Sequence, residues 1–485
     1  MLGGFLTTIL PGPWVPMVFI LFTQTFAGLF AFFLLRRLAS ERAAILGALC
    51  YAVNPNALLM TYIRSDFAEQ LACALFPLLF LAALNLAELL DDSAPRHSSI
   101  ARFALPFAGV WLSNAPAGVL GSYSMALLFA WAALTQRSWR IALRGSAGLA
   151  LGFGLTSFYL LPAAYEQRWV NIGQALSSGL LPSQNSLFTR IDDPEHTWFN
   201  WIASLCALLL ILLFATTTLA SRRLAAFGDL ADRCRRLWSA LFVVGAAACL
   251  LMLRFTNLFW NYLPKLRFVQ FPWRWMSIVA LVCACFLAAA MEKRRGWLWF
   301  VLVLALSVPL GHFLVTNGWW DTDEMPTQAA AITTGNGFDG TDEYDPVGDD
   351  HLDLPPSSPP VRVVCANKEE SCASGMAIHV VKWTTEEKEL RVIAQTHALI
   401  DLRLLNYPAW RVEVNGKRIR PERLDDINQM VIPVEPGHSE IRVRFARTLD
   451  RTAGIILSVL SALVALLLLW RASRAFVYDS NSRAR

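Results

Sequence analysis

The sequence predicts an α-helical polytopic membrane protein of about eleven spans, with an extracytoplasmic antiparallel β domain inserted before the last span. Three observations predict it. The first is composition. The chain is 55% hydrophobic with a mean hydropathy of +0.43, and only 16% of its residues are charged. A soluble chain of this length carries more charge than that. The second is the placement of Lys and Arg between the apolar runs. The segments 36–42, 91–102, 135–144, 221–236, 291–296 and 471–485 hold twenty basic residues, whereas 61–67, 164–197 and 254–270 hold six. Basic residues resist translocation, so the rich segments face the cytoplasm and the poor ones face out. The third is a change of hydrophobic period after Pro360, from long apolar runs to strict alternation.

A span needs about 20 apolar residues. Runs of that kind lie near 14–35, 43–60, 68–90, 117–134, 145–163, 198–220, 237–254, 271–290, 297–316 and 452–470, with a shorter one at 102–113. Treating 102–134 as one helix broken at Ser113-Asn114-Ala115-Pro116 would turn the Arg-rich segments 135–144 and 221–236 outward. Two passes are therefore expected, the first of them tilted or shielded by its neighbours. The membrane domain is expected over 1–316, an acidic outer loop region over 317–360, the β domain over 361–450, a final span over 451–471 and a cytoplasmic tail over 472–485. The net charge of +5 is concentrated on the inward loops. That asymmetry accounts for the basic pI through topology and anionic lipid, without nucleic acid.

Polar and helix-breaking clusters gather at the expected outer ends of spans. They are Asn54-Pro55-Asn56, the run Tyr62–Glu69, Asn114-Ala115-Pro116, Glu166-Gln167-Arg168, Arg190–His196 and Phe271-Pro272-Trp273-Arg274-Trp275. Polar groups at membrane depth line a cavity or pair with one another, so an outward polar cavity is the expected site. Arg64 with Asp66 or Glu69 reads equally as an ion pair anchoring a span end. Phe271–Trp275, with Trp260 and Tyr262, reads first as an interfacial aromatic belt. Arg254, Lys265, Arg267 and Arg274 run against the orientation rule, and a lipid-linked phosphate held by guanidinium forks would compensate them.

Residues 317–361 contain ten acidic side chains and no Lys or Arg. They lack the ligand spacing of a calcium loop and read as solvated loop. Short alternating runs follow at Val361–Cys365, Met376–Trp383, Leu390–Thr396, Leu399–Leu405, Trp410–Val414, Gln429–Val434 and Glu440–Phe445, with an Asn415-Gly416 turn. They read as an antiparallel sheet or small sandwich. Of nine cysteines, only Cys365 and Cys372 fall in this outer domain, where an oxidising exterior favours a disulfide between them. The seven histidines show no metal-ligand spacing. No cofactor is called for, with a divalent cation left open.

Several motifs recur together in one group of proteins. They are Asn54-Pro55, Tyr62–Glu69 followed by Phe76-Pro77-Leu78, Leu161–Glu166, Phe271-Pro272-Trp273-Arg274, Gly340–Tyr344 and Tyr407–Gly416. In this order they resemble the bacterial 6-pyruvoyl-tetrahydropterin synthase-related membrane proteins. Those are similar in turn to C-type (GT-C) glycosyltransferases and to membrane proteins that glycosylate lipoteichoic acid. The resemblance carries no pterin chemistry, because the histidine-held zinc of the soluble synthase has no counterpart here.

The resemblance implies a cytoplasmic-membrane enzyme that takes a sugar from a polyprenyl-phosphate donor at the outer face. A carboxylate would deprotonate the acceptor and cations would stabilise the departing phosphate. In that group the base lies in an acidic outer loop after the first span, and residue 1 here corresponds to the start of the second. Asp66 and Glu69 are then the acidic candidates, with Asp192, Asp193, Glu195 and His196 second. Arg64, Glu166, Arg168, His196, Arg267 and Arg274 are the expected substrate-binding residues. The alternative from another class is a non-catalytic transporter or assembly partner for lipid-linked glycans. A transporter strings polar residues through the middle of several spans, whereas here they cluster at span ends.

Overall fold

The structure is a computed structural model and describes residues 2–90, 96–221, 229–293, 295–318, 330, 344, 346–347, 359–364, 376–423 and 429–483. The chain divides into two compact units. One comprises Met1–Ser157, Leu176–Trp320 and Ile456–Arg485; the other comprises Phe158–Ala175 and Asp321–Ile455.

The first unit is helical. Its order is α1 (Leu2–Thr7), α2 (Trp14–Leu35), α3 (Glu41–Ala52), α4 (Pro55–Leu59), α5 (Phe67–Leu86), α6 (Arg96–Ser113), α7 (Ala115–Thr135) and α8 (Trp139–Leu155). After α9 (Ser157–Glu166), which from Phe158 on belongs to the second unit, come α10 (Pro194–Ser221), α11 (Asp229–Leu251), α12 (Asn257–Tyr262), α13 (Met276–Met291) and α14 (Trp297–Thr316); α15 (Leu449–Arg483), which joins the first unit at Ile456, closes the chain. Among the described residues, nine helices are long and apolar enough to cross a membrane, or ten if the broken pair α8–α9 is one span. The expected eleventh, at 102–113, is the last two-thirds of α6. Arg102 and the polar first turn of α6 hold down its mean hydropathy. Phe103, Phe107 and Val110 are nevertheless fully buried, so α6 is shielded by its neighbours as its short apolar run requires.

Helix breaks follow the sequence closely. Pro55 biases Asn54 to an extended backbone, with φ −69° and ψ 160°. The Asn54 side chain then caps α4 by accepting from the backbone N–H groups of Asn56 and Ala57. The Asn54-Pro55-Asn56 cluster, expected at a span end, therefore breaks a span that runs over Glu41–Arg64. A π-helical turn at Met60–Arg64 follows. Asn114 likewise separates α6 from α7 and accepts from the Ala117 N–H at 2.9 Å.

Every residue of α13 is buried. A helix apolar all round belongs at the centre of a bundle, and α13 packs on α10, α11 and α3. Of the residues read as an interfacial aromatic belt, Trp260, Trp273 and Trp275 are 1%, 1% and 3% exposed and belong to the core of the helical unit, whereas Tyr262 is 78% exposed. The three buried tryptophans do not have the exposure of belt residues; Tyr262 does.

The second unit contains the β domain, a sandwich of two antiparallel sheets. Strands β1 (Val361–Val364), β4 (Ala398–Leu405), β8 (Gln429–Val434) and β7 (Glu422–Arg423) form one sheet in the order β1-β4-β8-β7. Strands β2 (Ala377–Trp383), β3 (Glu387–Ala394), β9 (Gly437–Phe445), β5 (Trp410–Val414) and β6 (Lys417–Ile419) form the other, in the order β2-β3-β9-β5-β6. Alternation aims Leu390, Val392, Ile441 and Val443 from one sheet, and Ile400, Leu402 and Ile432 from the other, into a single core. The Asn415-Gly416 turn takes φ +49° and +75° and joins β5 to β6, as an Asn-Gly hairpin does. Strands β6 and β7 went unpredicted because they are short and polar. Cys365, Cys372 and most of the acidic 317–360 segment lie outside the described residues.

Candidate functional site

The site grows from the link between the π-helical turn and α5. Ser65 takes the left-handed backbone, φ +49°, and turns the chain so that Asp66 becomes the N-cap of α5. Asp66 Oδ1 accepts from the Glu69 N–H at 2.9 Å, half of a capping box. The three-residue spacing sets both carboxylates on the same turn of α5. Arg64 reaches each of them, donating to Glu69 Oε2 at 2.9 Å and to Asp66 Oδ2 at 2.9 Å. Arg274 arrives from the 3-10 turn Pro272–Trp275. Its Nε lies 3.2 Å from Glu69 Oε2 and its Nη2 3.7 Å from Asp66 Oδ2. One further Arg274 nitrogen donates to the Val269 carbonyl at 2.9 Å.

Two guanidinium groups thus face two carboxylates and the cluster is neutral. That balance is what permits charge at such depth: side-chain exposure is 9% for Arg64, 10% for Arg274 and 1% for Glu69. Asp66 keeps 19% and is the accessible acid. Aromatic faces complete the enclosure. The Arg64 guanidinium carbon lies 4.5 Å from the Trp273 ring centroid and that of Arg274 lies 5.0 Å from Phe271. Phe271 and Trp273 stack with centroids 5.0 Å apart. Glu69 Oε1, Trp273 Nε1 and Trp275 Nε1 are buried without a hydrogen-bond partner. Beside the cluster, Phe67 and Ala68 of α5 line an apolar cavity of about 320 Å³ with Leu2, Val15, Phe19 and Leu112.

Of the other expected site residues, Arg267 is exposed, with its guanidinium 5.2 Å from the Phe268 ring centroid. His196 Nε2 shares a 2.6 Å hydrogen bond with Asn185 Oδ1. Asp192, Asp193 and Glu195 are exposed, and Asp193 caps α10 by accepting from the Glu195 and His196 N–H groups. Glu166 and Arg168 belong to the second compact unit. There Glu166 accepts from Arg451 Nε at 2.6 Å, Arg451 Nη2 at 2.8 Å and the Tyr407 hydroxyl at 2.7 Å. Burial, and then the Glu166 carboxylate, push the Tyr407 hydroxyl well above its ordinary pKa. Arg168 lies over Tyr165, 3.8 Å from its centroid.

Sequence reasoning missed Arg451 and the role of Tyr407 as partners of Glu166. The Tyr407-Pro408-Ala409-Trp410 motif marked the place without saying what it meets. Among the described residues, no three of His, Cys, Asp and Glu converge as metal ligands.

No curated protein matches the chain, and no solved structure does. A family model of the 6-pyruvoyl-tetrahydropterin synthase related domain, a membrane protein, matches residues 12–319. That stretch holds α2 to α14 and all four members of the Arg64–Asp66–Glu69–Arg274 cluster, and the chain belongs to this family of membrane proteins.

Proposed function

We propose that the chain is a GT-C-like membrane glycosyltransferase. It takes a sugar from a polyprenyl-phosphate donor at the outer face of the cytoplasmic membrane, with the β domain on that same outer side. The observation that carries this reading is the junction at the first turn of α5. A partly accessible carboxylate and two buried arginines stand there beside an apolar cavity lined by Phe67 and Ala68. Lipid-linked donors combine those chemistries in one molecule, an apolar chain ending in a phosphate.

In the proposed reaction Asp66 accepts the proton of the acceptor hydroxyl. That oxygen bonds to the anomeric carbon as the bond from this carbon to the phosphate oxygen breaks. The lipid phosphate leaves with the electron pair, and Arg64 donors not engaged by Asp66 and Glu69 stabilise it. Glu69, almost wholly buried, holds both arginines in place.

A second reading has an observation of its own. Each carboxylate already meets two guanidinium groups, so both are engaged in ion pairs within the protein, which fits a non-catalytic transporter or assembly partner for lipid-linked glycans. Reconstitution with a polyprenyl-phosphate sugar and a glycan acceptor separates the two. Transfer by the unaltered chain, lost in Asp66→Asn and in Arg64→Ala at normal membrane levels, supports the enzyme. Full transfer by Asp66→Asn removes Asp66 as base. Transbilayer movement of the lipid-linked sugar without transfer establishes the second reading.

A further inference from the structure

The helical unit holds an apolar cavity larger than the one beside α5. It has a volume of about 570 Å³ and lies between α7 and α11. Tyr123, Ala126 and Ala130 of α7 form one wall, and Val244, Ala247 and Leu250 of α11 form the other. The alanines at 126, 130 and 247 leave room that larger side chains would fill. Phe255 and Phe259, from the connection after α11, border the space, and the buried Trp275 lines its depth. Both α7 and α11 are long and apolar enough to cross a membrane, and Leu250, Phe255 and Phe259 are exposed at the rim. Apolar walls hold no water, so inside a bilayer this space fills with hydrocarbon.

The rim is cationic. Residues 237–291 contain Arg254, Lys265, Arg267 and Arg274 and no Asp, Glu or His, and α7 adds none. Arg274 is engaged by Glu69 and Asp66, whereas Arg254, Lys265 and Arg267 are exposed. Arg254 directly precedes the rim residue Phe255. The Tyr123 hydroxyl donates to the Pro264 carbonyl at 2.9 Å, which holds the backbone next to Lys265 at the α7 wall. Lys265 Nζ and the Arg267 guanidinium carbon lie 5.1 and 5.2 Å from the Phe268 ring centroid, so both charges sit by one ring.

An apolar groove ending in three cations complements a molecule that joins an apolar chain to an anionic head. A neutral lipid, or an apolar helix of a partner protein, brings nothing to that positive rim. Without Asp, Glu or His, the groove offers no acid or base to act on a bound sugar, so its occupant is held and not transformed. We infer that the groove binds an acyl chain of one anionic glycerophospholipid from the surrounding leaflet, with its phosphate at Arg254, Lys265 and Arg267. Trp275 ends the turn that carries Arg274, so an occupied groove backs that arginine from behind.

The test reads lipid retention and not sugar transfer, so it stands or falls apart from the enzymatic reading. The full chain, purified in detergent, is titrated with phosphatidylglycerol or phosphatidylcholine of identical chains, and retained lipid is counted by native mass spectrometry. The expected result is one phosphatidylglycerol per chain, held on the order of a hundredfold more tightly than phosphatidylcholine. That preference should shrink as salt rises. Replacing Arg254, Lys265 and Arg267 together by alanine should remove the preference. Ala130→Trp fills the groove from an exposed position and should abolish retention of phosphatidylglycerol; Ala126→Trp, also exposed, serves if the first variant fails to fold. Equal retention of the two phospholipids overturns the site. So does a preference unchanged in the filled variant or in the triple variant, because the lipid then sits elsewhere. Retention of a polyprenyl phosphate in preference to phosphatidylglycerol overturns the phospholipid as occupant and gives the groove to a lipid-linked sugar. A dimer that forms in place of lipid binding gives it to a second copy.

Discussion

Asp66 and Glu69 share the same two arginine partners and differ in access. The oxygen of Glu69 that meets them is 2.9 Å from Arg64 and 3.2 Å from Arg274, and replacing Glu69 strands buried positive charge. Glu69→Ala should cost the detergent-solubilised protein about 3–5 kcal/mol, as breaking a buried pair does. Asp66→Asn keeps the shape and the helix cap and removes one charge that is 19% exposed, so the positive charge it leaves is partly screened by solvent and the cost should be smaller, about 1 kcal/mol. Denaturant titration of both variants checks the order, and equal losses would show that the two acids are not distinct.

A second residue-scale prediction concerns Asp401 in the β domain. It is 1% exposed and accepts two bonds from Arg362, at 3.0 and 2.6 Å. Burial raises its pKa and Arg362 opposes the rise without cancelling it. A carboxyl with a raised folded-state pKa binds its proton more tightly when folded. Its stabilising contribution is complete below the ordinary value of about 3.9 and is lost as pH rises through the folded value. Arg362→Ala should enlarge that loss. Because Arg362 is 45% exposed, the expected cost at neutral pH is about 2 kcal/mol, below the range of a fully buried pair, and it should shrink towards about pH 4. Tryptophan fluorescence during unfolding at the two pH values measures it. A penalty independent of pH would clear Asp401 of the effect.

At the scale of elements, α8 shows how helices pack where lipid supplies no hydrophobic drive between them. Small residues allow close approach in that setting. Gly148 and Gly152 lie on one face of α8, and a Cβ added there would come within 2.6 Å of Phe103 and 2.4 Å of Phe107. Both phenylalanines are wholly buried on α6 and have nowhere to swing. Gly148→Ala and Gly152→Ala should each destabilise the protein by about 1–3 kcal/mol through overpacking, although alanine is the better helix former. A higher Tm in either variant would mean that the α6–α8 seam yields. In the second unit, Tyr407→Phe removes one bond to Glu166 and leaves the Arg451 pair, for a loss of about 1 kcal/mol.

At the scale of the whole molecule, the Arg distribution makes a claim about sides. Under the proposed orientation the β domain and the Arg-rich 135–144 segment occupy opposite faces of the membrane. Single cysteines at Arg140 and Thr385, both exposed, test it in a background with all nine native cysteines replaced by serine or alanine. A membrane-impermeant maleimide added to intact cells should label Thr385→Cys and spare Arg140→Cys. Labelling of both positions, or the reverse pattern, would end the proposed orientation.

The sequence by itself determined the apolar helices, their breaks at Asn54-Pro55 and Asn114, the change to β structure after Pro360 and the Asn415-Gly416 turn. Each of these is written in neighbouring residues, through hydropathy, proline sterics, side-chain capping or alternation. It also placed Arg64, Asp66 and Glu69 within five residues of each other along the chain. Tertiary structure alone decided that Arg274 closes this group into a neutral cluster, that Glu166 meets Tyr407 and Arg451, and that Trp273 and Trp275 lie inside the bundle. The physical reason is that hydropathy and period are local quantities. The partner of a buried charge is chosen by which helices pack together, and the segments that supply these partners are far apart along the chain.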